Sequence, residues 1–157
     1  MIFATVGTHH QPFARMLAAL EPLGGEVVLQ YGANERPAWA ARAERYMGFE
    51  AVMDAMRTAE AVVTHAGVGS ILCARSLGHV PVVVPRLHRL GEHVDDHQVE
   101  LAPALGRAGR VIVAWRVADL VPAIEEARVR ARPDELHETR LHAAVREALS
   151  VTSPGPA

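Results

Sequence analysis

The chain has one cysteine, few aromatic residues and little net charge. Cys73 has no second cysteine to pair with, so an intramolecular disulfide is excluded, which fits a reducing compartment. Aromatic residues make up 4% of the 157 residues, too few to build stacking platforms for single-stranded nucleic acid. The formal net charge of −2 gives no general attraction to nucleic acid or acidic lipid. We therefore expect no nucleic-acid partner.

Long apolar runs are also missing. No uninterrupted stretch approaches the ~20 apolar residues that a membrane-spanning helix needs. The apolar run at residues 1–6 carries no charged segment and ends at Gly7, so it is too short for a signal peptide. We therefore expect a cytoplasmic chain with no direct membrane span, which reaches the inner face of a membrane only through a partner.

What the chain does contain is material for one core, in a regular alternation of elements. Apolar residues make up 50% of the sequence, and we expect residues 1–150 to form one domain and residues 151–157 a frayed tail. Buried-strand patterns occupy residues 2–6, 27–29, 46–47, 61–64, 80–84 and 111–113. Helical spacing is found at residues 12–23, in part of 30–45, near 52–56, at 70–77, from 94 onward and at 120–124. Pro103 is expected to kink or split the helix that begins near residue 94. A last amphipathic helix carries Leu136, Leu141, Val145 and Leu149. This alternation predicts an α/β fold with a Rossmann-like, doubly wound parallel sheet.

Two turns follow strands that this fold makes neighbours. In the strand order 3-2-1-4-5-6, ligands bind outside the carboxyl ends of strands one and four. The first strand leads into Gly7-Thr8-His9-His10, and the fourth leads into Ala66-Gly67-Val68-Gly69-Ser70. We therefore expect both loops to line one crevice.

The second of these loops has two interpretations. A glycine turn that opens a helix suits a phosphate, because free backbone N–H groups and the helix dipole favour an anion. The alternative is an ordinary tight turn in which Ser70 caps the helix. No Gly-Lys-Ser/Thr follows, so this is not a Walker A loop, and the first strand lacks the glycine fingerprint of a nicotinamide-dinucleotide site.

A polar segment at residues 91–98 is the second candidate site. His93 and His97 are four residues apart and are expected on one helix face beside Asp96, which raises the idea of a metal site. The HExxH context is missing and no third ligand is evident, so we predict no metal there. The other interpretations are a solvated helix start and a loop whose Asp and Gln side chains bind sugar hydroxyls.

Two further residues have open roles. His65 ends an apolar strand, so it is either a satisfied histidine at the edge of the core or part of the crevice lining. Cys73 lies three residues past Ser70, with no base nearby, and is interpreted as a packing residue rather than a nucleophile.

Four segments occur in an order that is typical of one family. They are Val6-Gly7-Thr8, His65-Ala66-Gly67-Val68-Gly69-Ser70, Val84-Pro85-Arg86 and Glu92-His93-Val94-Asp95-Asp96-His97-Gln98. On these residues the chain resembles the C-terminal, donor-binding domain of glycosyltransferase family 28, one Rossmann half of a GT-B enzyme. The resemblance covers roughly residues 2–130. It points to the stand-alone subunit type of the split dolichol-linked N-acetylglucosaminyltransferase and of bacterial exopolysaccharide transferases.

The resemblance implies a UDP-sugar donor and transfer of a hexose-type sugar with inversion, without a cofactor or metal. The loops at Gly7 and Gly67 would hold the diphosphate, and Gln98 with its two preceding residues would contact the sugar. The implied substrate-binding residues are Gly7, Thr8, His65, Gly67, Val68, Gly69, Ser70, Arg86, Glu92, Asp96, His97 and Gln98. His9 or His10 is the candidate general base, with a residue of a partner chain as the alternative.

The resemblance also implies a hetero-oligomer and leaves two alternatives open. A GT-B enzyme needs two Rossmann domains, so the acceptor would be held by a separate, membrane-associated subunit. Fused relatives carry a glutamate for the ribose at the position of Cys73, which a thiol cannot replace. A non-catalytic UDP-binding regulatory subunit and a nicotinamide-dependent oxidoreductase are the competing hypotheses.

Overall fold

The computed structural model describes residues 1–130, in which six strands form one sheet. The strands are β1 (Ile2–Thr5), β2 (Val27–Gln30), β3 (Arg42–Glu44), β4 (Ala61–His65), β5 (Val82–Val84) and β6 (Ile112–Val113). They lie in the order β3-β2-β1-β4-β5-β6, and all five neighbouring pairs are parallel. The predicted doubly wound sheet is confirmed.

Within residues 1–130, four α-helices lie between consecutive strands and a fifth follows β6. They are α1 (Ala14–Leu20), α2 (Phe49–Thr58), α3 (Val68–Ser76), α4 (His97–Arg107) and α5 (Leu120–Val129). Short 3-10 turns occupy Glu21–Glu26, His88–Leu90 and Val117–Asp119. None of the helices in residues 1–130 is long and apolar enough to cross a membrane.

Alternating side chains of the strands build a core on each face of the sheet. Ile2 and Ala4 pack on the same face as buried residues of α1 and α5, whereas Phe3 packs on the opposite face with α2 and α3. Val83 and Ala102 belong to a further cluster that seats α4 on that second face. Because both faces are covered, the central strands are buried throughout and read as continuous apolar runs.

Several predicted boundaries in this part of the chain were wrong. The third strand is Arg42–Glu44 rather than residues 46–47, and no helix forms within residues 30–45. β3 is a short edge strand with charged side chains, which lacks the apolar signature of a buried strand. Its register with β2 pairs Val28 with Arg42 and Gln30 with Glu44.

The helix after β5 also differs from the prediction. It begins at His97 instead of near Val94, so His93 lies outside it and does not share a helix face with His97. Pro103 does not split the helix, which continues to Arg107. The predicted final helix with its apolar patch, and the domain end at residue 150, lie outside the described residues.

Candidate functional site

The loops after β1, β4 and β5 meet at the carboxyl edge of the sheet. β1 and β4 are hydrogen-bonded neighbours, as are β4 and β5, so their following loops lie side by side. These loops carry most of the residues that the sequence placed in a binding crevice. The convergence of the Gly7 and Gly67 turns, predicted from the strand order, is confirmed by their contacts with a common residue.

That common residue is His65, whose imidazole lies against both glycines. A Cβ atom at Gly7 would lie 2.5 Å from Cε1 of His65, and one at Gly67 would lie 2.2 Å from Nε2. Real Cβ atoms do not approach so closely, so no side chain fits at either position while the ring stays in place. Gly7 also has φ +77°, a conformation that other residues rarely adopt. The half-buried ring of His65 therefore packs between the two glycine turns, and its contact with a ligand stays a prediction.

His65 is uncharged at neutral pH. Burial, reinforced by the positive charge of Arg86, lowers the pKa of His65 from 6.5 to about 4. Thr64 Oγ1 lies 3.3 Å from Nδ1 of the ring. A neutral ring between two glycine loops acts as a rigid spacer, and it adds no charge of its own to the floor of the crevice.

The helix α3 begins directly at the crevice. Its N-cap is Gly67, and the Ile71 N–H bonds the Gly67 carbonyl, which leaves the amides of Val68, Gly69 and Ser70 without a carbonyl partner inside the helix. Val68 and Gly69 are exposed, and a Cβ atom at Gly69 would meet open space. The alternative in which Ser70 is the N-cap was wrong. Three amides without a helical partner at a helix start have the geometry that suits an anion.

Arg86 is fully buried beneath the crevice and bonds three backbone carbonyls. One terminal nitrogen donates to Gln11 O (2.9 Å) and Glu92 O (2.8 Å), and the other donates to Val6 O (2.7 Å). The guanidinium carbon lies 4.6 Å from the centre of the Phe13 ring. Burial lowers the pKa of Arg86 to about 10, so the group stays charged. Arg86 thus ties the loop after β1 to the loop after β5 and places a buried positive charge under the crevice.

Glu92 is also buried, and its partner is a residue that the sequence analysis missed. Arg15, in α1, donates to both carboxylate oxygens at 2.9 and 2.8 Å. The Leu87 N–H donates to the same carboxylate at 2.9 Å, and Arg15 further bonds the carbonyls of Pro85 and Trp115. Glu92 is engaged in holding loops together. The sequence did not indicate this role for Arg15, because the residue lies in an ordinary amphipathic helix and belongs to no motif.

The three residues expected around the sugar differ in their surroundings. Gln98 is buried, and its Oε1 accepts the backbone N–H of Arg86 at 3.0 Å, while its Nε2 has no hydrogen bond to another of residues 1–130. Asp96, the N-cap of α4, and His97 are exposed at the start of that helix. The amide oxygen of Gln98 is therefore used by the protein, whereas its amide nitrogen is left to donate.

Three imidazoles meet where the loops after β1 and β5 face each other. The His9 ring stacks on His10 with centroids 4.5 Å apart, and lies 4.7 Å from the His93 ring. Burial, followed by the charges of His93, His10 and Arg86, lowers the pKa of His9. The Gln11 N–H donates to Nδ1 of His9 at 3.3 Å, so the proton of the neutral ring sits on Nε2.

The Asp95 carboxylate connects His93 of this cluster to His97. Its two carboxylate oxygens lie 3.0 Å from Nδ1 of His93 and 3.0 Å from Nδ1 of His97. A backbone bond from His97, together with the two imidazoles, lowers the pKa of Asp95. Across residues 1–130, no three His, Cys, Asp or Glu side chains are arranged to hold a metal ion. The spacing of His93 and His97 is thus used to share a carboxylate.

Cys73 lies away from the crevice, in the core under α2. It is buried with Met53, Met56 and Phe3, and burial raises the pKa of its thiol. The interpretation as a packing residue is confirmed.

The fold is a Rossmann-like α/β domain, and sequence comparison identifies its family. Residues 1–150 match the glycosyltransferase family 28 C-terminal domain. The chain therefore belongs to that family, as its motifs had indicated.

Two individual proteins are similar to the chain. The UDP-N-acetylglucosamine transferase subunit ALG13 of Yarrowia lipolytica (strain CLIB 122 / E 150) is 32% identical over 106 residues, which cover 62% of this chain and 52% of that protein. The chain thus spans about half the length of this curated relative. The crystal structure of the glycosyltransferase SnogD from Streptomyces nogalater aligns with a TM-score of 0.50 at 21% identity, over 95% of this chain and 39% of that one. This second likeness supports the fold alone.

Proposed function

We propose that the protein is the donor-binding subunit of an inverting, UDP-sugar-dependent glycosyltransferase. The observation that supports this most is the convergence of the Gly7 turn and the open start of α3 on one crevice, in a chain of family 28. Three free amides at a helix start, above the buried charge of Arg86, suit a diphosphate better than a neutral ligand. The similarity to a UDP-N-acetylglucosamine transferase subunit supports uridine as the base and a hexose-type sugar.

The crevice residues divide between the two ends of the donor. Gly7, Thr8 and the first turn of α3 bind the diphosphate through backbone amides and hydroxyls. Gln98, Asp96 and His97 bind the sugar, with the Nε2 of Gln98 donating to a hydroxyl. Arg86 and Glu92 serve this site by holding its loops together rather than by touching the donor.

The transfer itself is a single displacement. The acceptor hydroxyl oxygen attacks the anomeric carbon while the bond from that carbon to the diphosphate oxygen breaks, so the configuration inverts and UDP leaves. The amides of α3 stabilise the negative charge that grows on the departing diphosphate. The hydroxyl proton passes to a base, for which His10 is the candidate on this chain, because its exposed ring is not fixed as a donor in the way that His9 is.

The acceptor is held by a second, membrane-associated subunit. Val68 and Gly69 at the start of α3 are exposed, and one Rossmann domain does not enclose both substrates. The acceptor would be a lipid-linked or polysaccharide hydroxyl.

Calorimetry of the purified chain with UDP, ADP and NAD tests the proposal. We expect UDP to bind much more tightly than ADP or NAD. Equal affinity for UDP and ADP contradicts the uridine assignment, and preference for NAD favours an oxidoreductase. Release of UDP from UDP-hexoses is then measured with the chain alone and after adding membranes of the source organism. Turnover only with membranes supports the subunit, whereas UDP binding without turnover in either case supports a regulatory role.

A further inference from the structure

The proposed function uses only His10 of the cluster that His9, His10 and His93 form. The cluster joins the loop after β1 to the loop after β5, which are far apart in the sequence. The ring centroids of His9 and His10 are 4.5 Å apart, and those of His9 and His93 are 4.7 Å apart. His9 and His93 are both half-buried, and the side chain of His93 is 16% exposed. Imidazoles in such contact cannot all carry charge without strong mutual repulsion, so the cluster is poised to respond to a negative ligand.

The hydrogen bonds assign different roles to His9 and His93. Nδ1 of His9 accepts the Gln11 N–H, which leaves Nε2–H as a donor. Nδ1 of His93 has two neighbours in Asp95, a carboxylate oxygen at 3.0 Å and the backbone nitrogen at 3.3 Å. Nδ1 of the neutral ring accepts the Asp95 N–H, so Nε2 carries the proton, and the carboxylate oxygen at 3.0 Å can accept from Nδ1 once a second proton is bound there.

We propose that His9 and His93 form a clamp for the donor diphosphate, and that His93 takes up a proton from solvent when the diphosphate binds. The inference rests on the proposed function for the class of ligand. The proton adds to Nδ1 of His93, where the Asp95 carboxylate accepts it, and the Nε2–H of the imidazolium donates to the diphosphate. The diphosphate then receives one N–H donor from each side of the crevice, in addition to the amides of α3.

The charges around the clamp explain why the proton arrives with the ligand. The neighbouring groups His93, His10, Arg86 and Asp95 influence the pKa of His9 electrostatically. His9 and His93 in turn influence the pKa of His65. Among them, Arg86 is a fixed positive charge and Asp95 a negative one that His93 and His97 share. The lowered pKa of His9 favours the neutral form of that ring in the free crevice. A diphosphate supplies the missing negative charge and favours the charged ring.

Calorimetry with UDP-N-acetylglucosamine tests the clamp, because a diphosphate esterified at both ends does not itself titrate near neutral pH. Titrations at pH 7.5 in two buffers of different ionisation enthalpy give the number of protons taken up. We expect net uptake on the order of one proton, and affinity that rises up to about tenfold for each unit of falling pH. His93→Gln should abolish the uptake and the pH dependence, and Asp95→Asn should reduce both.

Controls separate the clamp from folding and from ligand specificity. His88→Gln removes an exposed histidine of the same loop and should leave proton uptake unchanged. Urea unfolding of each variant reports whether it is folded. ADP-glucose offers the same diphosphate with another base, so its binding with proton uptake upholds the clamp even if uridine specificity fails. Binding of UDP-N-acetylglucosamine without uptake, or uptake retained in His93→Gln, overturns the clamp while leaving the proposed function intact. No binding by either ligand overturns both.

Discussion

Arg15 and Glu92 lie 77 positions apart in the sequence and form a two-pronged ion pair, at 2.9 and 2.8 Å. Both side chains are largely buried, with 16% and 7% exposed. The pair fixes α1 against the loop after β5, and the Arg86 guanidinium fixes the same loop against the end of β1. The two arginines thus hold α1, the end of β1 and the loop after β5 together.

Removing Arg15 should destabilise the fold more than removing an exposed arginine. Arg15→Met leaves the Glu92 carboxylate buried with only the Leu87 amide as a partner, and we expect the free energy of unfolding to fall by about 3 kcal/mol. Arg116→Met, which removes a pair with Asp119 on the surface, is the matched control and should change little. Urea unfolding measures both, and equal effects of the two substitutions contradict the role assigned to Arg15.

Gly67→Ala should be costly, and Gly69→Ala should not. The new methyl group at residue 67 meets the His65 ring at 2.2 Å, so we expect a loss of about 1–3 kcal/mol of unfolding free energy. At residue 69 the methyl group meets open space inside a helix, where alanine is no worse than glycine. The double variant His65→Ala/Gly67→Ala should recover part of the loss, and failure to recover would show that the ring is not the obstacle.

The stability of the protein should decrease in mild acid because of His65. Its pKa is lowered from 6.5 to about 4, so between these values the unfolded chain binds more protons than the native state. The stabilisation is complete above pH 6.5, is lost as pH falls toward 4, and amounts to about 2 kcal/mol lost at pH 5. His9, whose pKa is also lowered, acts in the same direction. The test is urea unfolding at pH 7 and pH 5, in which His65→Gln should lose clearly less stability than wild type.

Gln98→Glu should separate sugar recognition from support of the loop. The carboxylate keeps an acceptor for the Arg86 N–H, which Gln98→Ala would remove, but it lacks the amide donor for the sugar. Added negative charge weakens UDP and UDP-sugar alike, so the measured quantity is the ratio of their affinities in one variant. We expect that ratio to shift about tenfold against UDP-sugar, the equivalent of ~1.4 kcal/mol. Asp96→Asn should act in the same direction, and an unchanged ratio in both variants refutes the sugar assignment.

Much of the fold could be predicted because its signals are local. β1 and β4 are buried on both faces, so they appear as apolar runs followed by glycine turns. β3 escaped prediction because it is an exposed edge strand of three residues with Arg42 and Glu44 at its ends. Its place is decided by pairing with β2, which no pattern within residues 42–44 reveals.

The candidate site likewise has a part that the sequence predicts and a part that it does not. The sequence by itself determined that glycine loops follow strands that become neighbours, and therefore where a ligand would lie. Only the tertiary structure decided that the His65 ring leaves no room for a side chain at Gly7 and Gly67. It also decided that the buried side chains of Arg86 and Glu92 hold loops together, and that Asp95 lies between His93 and His97. The physical reason is that strand and turn signals arise within a few residues. Burial, charge pairing and the protonation state of an imidazole depend on groups that are brought together only by the folded chain.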